Sequence, residues 1–189
     1  MRIFYLYMKM LRVKQWIKNI LIFFPLLIFP SEINLKASYA LILIFGLFCC
    51  ASSLVYIIND WVDRKSDALN KNKKNRPFAN KDLNFKDAAL GTFFLFTIFL
   101  ILFSQTYQIS PGVCLLVVIY LIQGFLYSFY LKNISLIEML LVSTGYSYRA
   151  FAGGLGIYLL PSSWMLITIF LASIFMVALK RLADKQSVL

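Results

Sequence analysis

The sequence contains no histidine, which excludes histidine-ligated zinc sites and the Ser-His or Cys-His pairs of nucleophilic catalysis. Cysteine is scarce too. Cys49 and Cys50 are adjacent inside an apolar run and Cys114 sits in another, so packing accounts for them better than a disulfide framework. Acidic residues number eight against nineteen Lys and Arg. Charge of either sign makes up only 14% of the chain and is missing altogether from Ala37–Asn59 (23 residues) and Ala88–Leu131 (44 residues).

What fills those gaps is apolar. Hydrophobic residues make up 61% of the chain and the mean hydropathy is +0.77, too apolar for a soluble domain of this length. A bilayer core of about 30 Å takes roughly 20 apolar helical residues to cross. The fold class is therefore an all-α polytopic membrane protein, with six spans expected at about 16–30, 38–58, 87–104, 112–132, 136–160 and 163–180. The first is short and needs the amphipathic residues before it to complete a crossing. A signal peptide is rejected there, because Pro25 and Pro30 interrupt the apolar stretch and no small-residue cleavage site follows.

The net charge of +11 suits anionic lipid and anionic substrates, given the interleaved apolar runs, rather than nucleic acid. Five Lys or Arg precede the first span through Lys18, eight lie in Asn59–Asp87, Lys132 follows the fourth span, and three lie from Lys180 onward. The alternate loops hold only Lys36. The positive-inside bias then predicts both termini and the long loop on the cytoplasmic side of the cell membrane.

Asn59 to Asp67 is the most informative stretch. In a continuing helix Asp60, Asp63 and Asp67 fall at i, i+3 and i+7, within an arc of roughly 60°. Three carboxylates on one face repel one another unless a cation compensates them, and Mg2+ takes oxygen ligands while bridging to substrate phosphates. A solvated helix end is the plain alternative. Lys71, Lys73, Lys74 and Arg76 follow and could neutralise a diphosphate, although basic residues belong in any cytoplasmic loop. Glu138 and Arg149 lie within the fifth span, where ionisable groups usually face the bundle interior. About 16 Å of rise separates them, so they are not expected to pair directly. Arg149 fits a structural bridge as well as an anion contact. Tyr127 to Lys132 and Lys180 to Asp184 close the fourth and sixth spans, on the same side.

Taken together, these stretches resemble the UbiA-type intramembrane prenyltransferase superfamily, and within it the branch of decaprenyl-phosphate phosphoribosyltransferase. Arg12-Val13-Lys14-Gln15-Trp16-Ile17-Lys18-Asn19 resembles that branch's R-x-x-Q-W-x-K-N opening. Asn59 to Asp67 matches N-D-x-x-D-x-x-x-D, and Lys73, Lys74, Arg76 and Pro77 match the basic stretch after it. Tyr127, Ser128, Leu131 and Lys132 match Y-S-x-x-L-K. Arg149 to Gly153 is similar to the R-x-x-A-G of the fifth span, and Lys180, Arg181 and Asp184 resemble K-R-x-x-E. Asn70-Lys71 departs from the branch's frequent His-Pro.

The resemblance implies transfer of a 5-phosphoribosyl group from phosphoribosyl pyrophosphate to a polyprenyl phosphate, with a place in cell-wall biosynthesis. It implies Mg2+ on Asp60, Asp63 and Asp67, and catalytic roles for Lys18, Asp60, Asp63 and Tyr127. Substrate contacts would come from Asn19, Asn59, Lys73, Lys74, Arg76, Lys132, Glu138, Arg149, Lys180 and Arg181. Homo-oligomerisation is compatible with such a bundle. Two other readings stay open at this point: prenyl transfer from a diphosphate to an aromatic acceptor, and an inactive membrane subunit or transporter fragment. The first usually carries a second D-x-x-x-D after the sixth span, where this chain reads K-R-L-A-D. The chain is expected to be a single domain resembling the N-terminal two-thirds of a nine-helix bundle, incomplete at its C-terminus.

Overall fold

A computed structural model describes residues 2–32, 34–70, 73–80, 82–132 and 134–186. Every regular element among them is helical. Helix α1 (Arg2–Met10) leads into a 3₁₀ segment (Val13–Phe23) and the short α2 (Pro25–Ile28). Then follow α3 (Leu35–Leu69), α4 (Phe85–Ile109), α5 (Pro111–Leu126), α6 (Ser135–Gly156) and α7 (Ser163–Gln186).

Helix α3 is the axis of the bundle. It has 35 residues, about 52 Å of rise, so its last turns project beyond a hydrocarbon core of about 30 Å. Asn34 caps its start, its side chain accepting from Ala37 N–H at 2.9 Å. Ile44, Leu47, Phe48 and Ala51 are fully buried among α4, α5, α6 and the 3₁₀ segment. Nothing breaks the helix after the apolar run, so Asp60, Asp63 and Asp67 stay on it. Asn84 caps α4 in the same way, accepting from Asp87 N–H at 2.8 Å, and Pro111 opens α5 at its first turn. Phe93, Phe94, Phe96, Ile98 and Ile101 of α4 are exposed, as a lipid-facing helix requires.

Among the described residues, four helices are long and apolar enough to cross a membrane: α3, α4, α5 carried on to Leu131, and α7 through Ala183. Helix α6 has the length, 22 residues, but its polar Glu138, Ser143, Thr144, Ser147 and Arg149 dilute its hydropathy. The first expected span departs most from expectation. Val13–Phe23 winds as a 3₁₀ helix of 11 residues, much longer than such runs usually persist. Pro25 supplies part of the cause, since an α-helix through it would lose the bond to the Leu21 carbonyl. In the tighter winding that carbonyl accepts from Phe24 N–H at 3.1 Å.

Three residues per turn divide this segment into three rows. Arg12, Gln15 and Lys18 form one and line a cavity. Trp16, Asn19 and Ile22 form the second: Asn19 and Ile22 are buried, and Trp16 Nε1 donates to Ser53 Oγ at 3.0 Å. Lys14, Ile17 and Ile20 form the third and are exposed. The segment is pressed against α6. A Cβ on Gly153 would run into the Ile22 carbonyl and stand 3.2 Å from Ile22 Cα, so only glycine fits there.

Candidate active site

A cavity of about 310 Å³ opens among the 3₁₀ segment, α3, α5, α6 and α7. Six cations line it (Arg12, Lys18, Lys73, Arg76, Arg149 and Lys180) against two carboxylates, Asp63 and Glu138. Asn59, Gln123, Tyr56, Tyr120, Tyr127 and Tyr146 supply neutral polar groups.

The three aspartates share a helix face, but only Asp60 and Asp67 share a partner. Asp60 is 2% exposed. Its Oδ2 accepts from Arg12 Nε at 3.0 Å and its Oδ1 from Arg12 Nη2. Arg76 Nη1 donates to the same Oδ1 at 2.9 Å and to Asp67 Oδ2 at 2.6 Å. Two buried carboxylates and two part-buried guanidiniums of the cavity lining thus make one cluster. Asp63 points elsewhere, lining the cavity and accepting from Lys132 Nζ. Among the described residues no three carboxylates converge on a point that could cage a metal ion. Mg2+ is commonly held by one or two carboxylates plus substrate phosphates and waters, and Asp63 with the neighbouring Asn59 fits that smaller donor set.

Helix α5 ends in a π-type turn, Tyr127–Leu131, a distortion common at functional sites. It carries Tyr127 to Glu138, the hydroxyl donating to Oε1 at 2.9 Å, and brings Lys132 to Asp63. Glu138 Oε2 also pairs with Arg181 Nη2 at 3.1 Å, tying α6 to α7.

Deeper in the cavity, Arg149 is 4% exposed. It donates from Nε to Asn19 Oδ1 at 2.6 Å, from Nη1 to the Gly145 carbonyl, and from Nη2 to Tyr120 Oη at 3.1 Å. Its guanidinium lies 5.1 Å from the Tyr120 ring centre and 5.9 Å from that of Tyr146, close enough for cation–π attraction. As expected, Arg149 does not pair with Glu138.

The sequence-derived site residues therefore divide. Lys18, Asn59, Asp63, Lys73, Arg76, Tyr127, Glu138, Arg149 and Lys180 line the cavity. Asp60, Asp67 and Asn19 are buried behind it, and Asn19 also donates to Cys49 Sγ at 3.2 Å. Lys132 and Arg181 act on cavity carboxylates from outside the wall, and Lys74 is exposed. Lys71 and the side chain of Asp184 lie outside the described residues. Arg12, Gln15, Tyr120, Gln123 and Tyr146 line the cavity as well, although the sequence motifs give none of them a role of its own. For Arg12 and Gln15 the signal lay in the three-residue spacing that ends at Lys18.

Residues 20–187 match the UbiA prenyltransferase family. The chain belongs to that family. It is 31% identical over 188 residues to a decaprenyl-phosphate phosphoribosyltransferase of Mycobacterium tuberculosis, covering 93% of this chain and 59% of the relative. Proteins of the same name from Corynebacterium glutamicum (31% identity, 93% of this chain, 53% of the relative) and Mycolicibacterium smegmatis (30%, 94% and 56%) are similarly close. The chain thus spans between half and three-fifths of the length of these relatives. Family membership and the apolar helices together make it a multi-pass membrane protein.

Proposed function

We propose that this UbiA-family chain transfers a 5-phosphoribosyl group from phosphoribosyl pyrophosphate to a polyprenyl phosphate and releases pyrophosphate. The observation that carries this reading is the lining of the cavity, six cations against two carboxylates. Such a surface favours two anionic substrates over one diphosphate and a neutral aromatic acceptor. Lys180 lies in the cavity near the place where an aromatic prenyltransferase would be expected to bring its second aspartate motif.

The acceptor needs no general base, because its phosphate is already an anion at neutral pH. A phosphate oxygen forms the bond to the anomeric carbon. The bond from that carbon to the pyrophosphate oxygen breaks, and its electron pair leaves with pyrophosphate. What the protein must supply is position and positive charge where negative charge develops. Lys73 neutralises the departing diphosphate, and Arg76, held through Nη1 by Asp60 and Asp67, contacts it with its remaining N–H groups. Tyr127, fixed by Glu138, borders the ribose. Asp63 and Asn59 would hold Mg2+, which when bound neutralises diphosphate oxygens. The donor enters from the cytosol, the side to which the basic loops are assigned, and the lipid enters from the bilayer.

The test is pyrophosphate release by the purified chain in detergent, with phosphoribosyl pyrophosphate, a polyprenyl phosphate and Mg2+. Release that requires the lipid phosphate and disappears in Asp63→Ala is expected. Release from prenyl diphosphate and an aromatic acid, with none from phosphoribosyl pyrophosphate, would overturn the reading.

A further inference from the structure

The cations of the cavity are not compensated alike. Arg12 and Arg76 are spent on Asp60 and Asp67, and the cavity carboxylates Asp63 and Glu138 are taken by Lys132 and Arg181. Among the described residues, no carboxylate comes within ion-pair distance of Lys73, nor of Lys18, Arg149 or Lys180. Yet these three belong together. Lys18 and Arg149 sit over the same Tyr146 ring, at 5.8 and 5.9 Å from its centre, and Lys180 lines the same cavity.

Keeping the buried Arg149 close to the half-buried Lys18 is costly, and neutral partners offset only part of that cost. Arg149 has a carbonyl, an amide oxygen, a phenol and aromatic faces. Its three hydrogen bonds use three of five N–H groups and leave two. Arg149 is also remote from the Asp63 region. Along α6 it lies about 16 Å beyond Glu138, whose Tyr127 partner closes the same end as Lys132 and Asp63.

We propose that Lys18 and Arg149, with Lys180 reaching in from the Glu138 end of α7, form a second anion seat distinct from the Asn59, Asp63 and Lys73 set, and that it takes the phosphate monoester of the lipid acceptor. The identity of the anion rests on the phosphoribosyl-transfer reading; the existence of the seat rests on the uncompensated charge. The arrangement gives each negatively charged substrate its own cations, so that the two anions need not share one set.

Equilibrium titration of the whole chain in detergent tests this with farnesyl phosphate, farnesol and inorganic phosphate, and separately with phosphoribosyl pyrophosphate and Mg2+. The variants are Lys180→Gln, on the exposed end of α7, and Asn19→Asp, which gives Arg149 an internal counter-charge without removing it. Each should weaken farnesyl phosphate about tenfold, the loss of one charge-assisted contact, and change phosphoribosyl pyrophosphate less than about threefold. Lys180→Arg should restore binding. Equal loss for both ligands would overturn the proposal, as would farnesol binding as tightly as its phosphate, or inorganic phosphate competing as well as the lipid. Wild-type protein that ignores phosphoribosyl pyrophosphate but shows the farnesyl phosphate pattern would overturn the donor assignment and leave the seat established.

Discussion

Arg12 grips both carboxylate oxygens of Asp60 from a residue whose own backbone is left-handed, with φ 51° and ψ 46°. Non-glycine residues rarely adopt that conformation without a compensating contact. Here the guanidinium also lies 4.8 Å from the Tyr56 ring centre. The turn that starts the 3₁₀ segment and the first aspartate of α3 are therefore one unit. Arg12→Ala and Asp60→Asn should each lower stability by about 1–3 kcal/mol. Their double variant should cost clearly less than the sum, because the pair is coupled. Chemical denaturation in detergent followed by tryptophan fluorescence reads all four corners of that cycle.

The two other aspartates should separate function from stability. Asp63→Asn removes a cavity carboxylate and should cost about 100-fold or more in pyrophosphate release with little change in melting temperature. Asp67→Asn removes a buried partner of Arg76 and should lower the melting temperature while sparing more of the turnover. If both variants lost activity equally at unchanged stability, the division of the triad would be wrong.

Glycine tolerance should follow backbone clearance. Gly153→Ala forces the 3₁₀ segment away from α6 and should destabilise by about 1–3 kcal/mol. Gly46→Ala meets only the end of the Leu102 side chain at 3.3 Å and gains helix propensity. It should be neutral or stabilising by up to about 1 kcal/mol. Melting in detergent ranks the two.

The bond between Tyr127 and Glu138 should matter more than the bridge between Glu138 and Arg181. Arg181→Ala breaks a partly exposed pair, its arginine and glutamate side chains 36% and 26% exposed, at a cost of about 0–1 kcal/mol. Tyr127→Phe removes a hydrogen bond inside the cavity wall and should lower kcat/KM about tenfold. Steady-state kinetics beside thermal melting would show whether the first loss is indeed silent and the second catalytic.

Much of the architecture was legible because the chain obeys elementary periodicities. Uncharged runs marked α3, α4 and α5, and the absence of any breaker after Asn59 kept Asp60, Asp63 and Asp67 on one helix. Two features were not legible, for different reasons. A shared helix face says where Cβ atoms point but not which cation each carboxylate finds. Arg76 returns from a loop and Arg12 from another element, and only tertiary structure brings both to Asp60. The winding of Val13–Phe23 escaped because helical pattern reading assumes 3.6 residues per turn. Arg12, Gln15 and Lys18 look scattered at that period and fall in line only at three.

That winding also makes the wall sensitive to register. Rewound as an α-helix, the segment would be about 5 Å shorter, and Arg12 and Lys18 would point about 120° apart. One residue inserted between Gln15 and Lys18 would turn the lysine into the row of Trp16 and Asn19, against the core. Three inserted residues would keep it facing the cavity, one turn further along. Insertions here are tolerable only in multiples of three, a counting rule that none of the α-helices around the cavity shares.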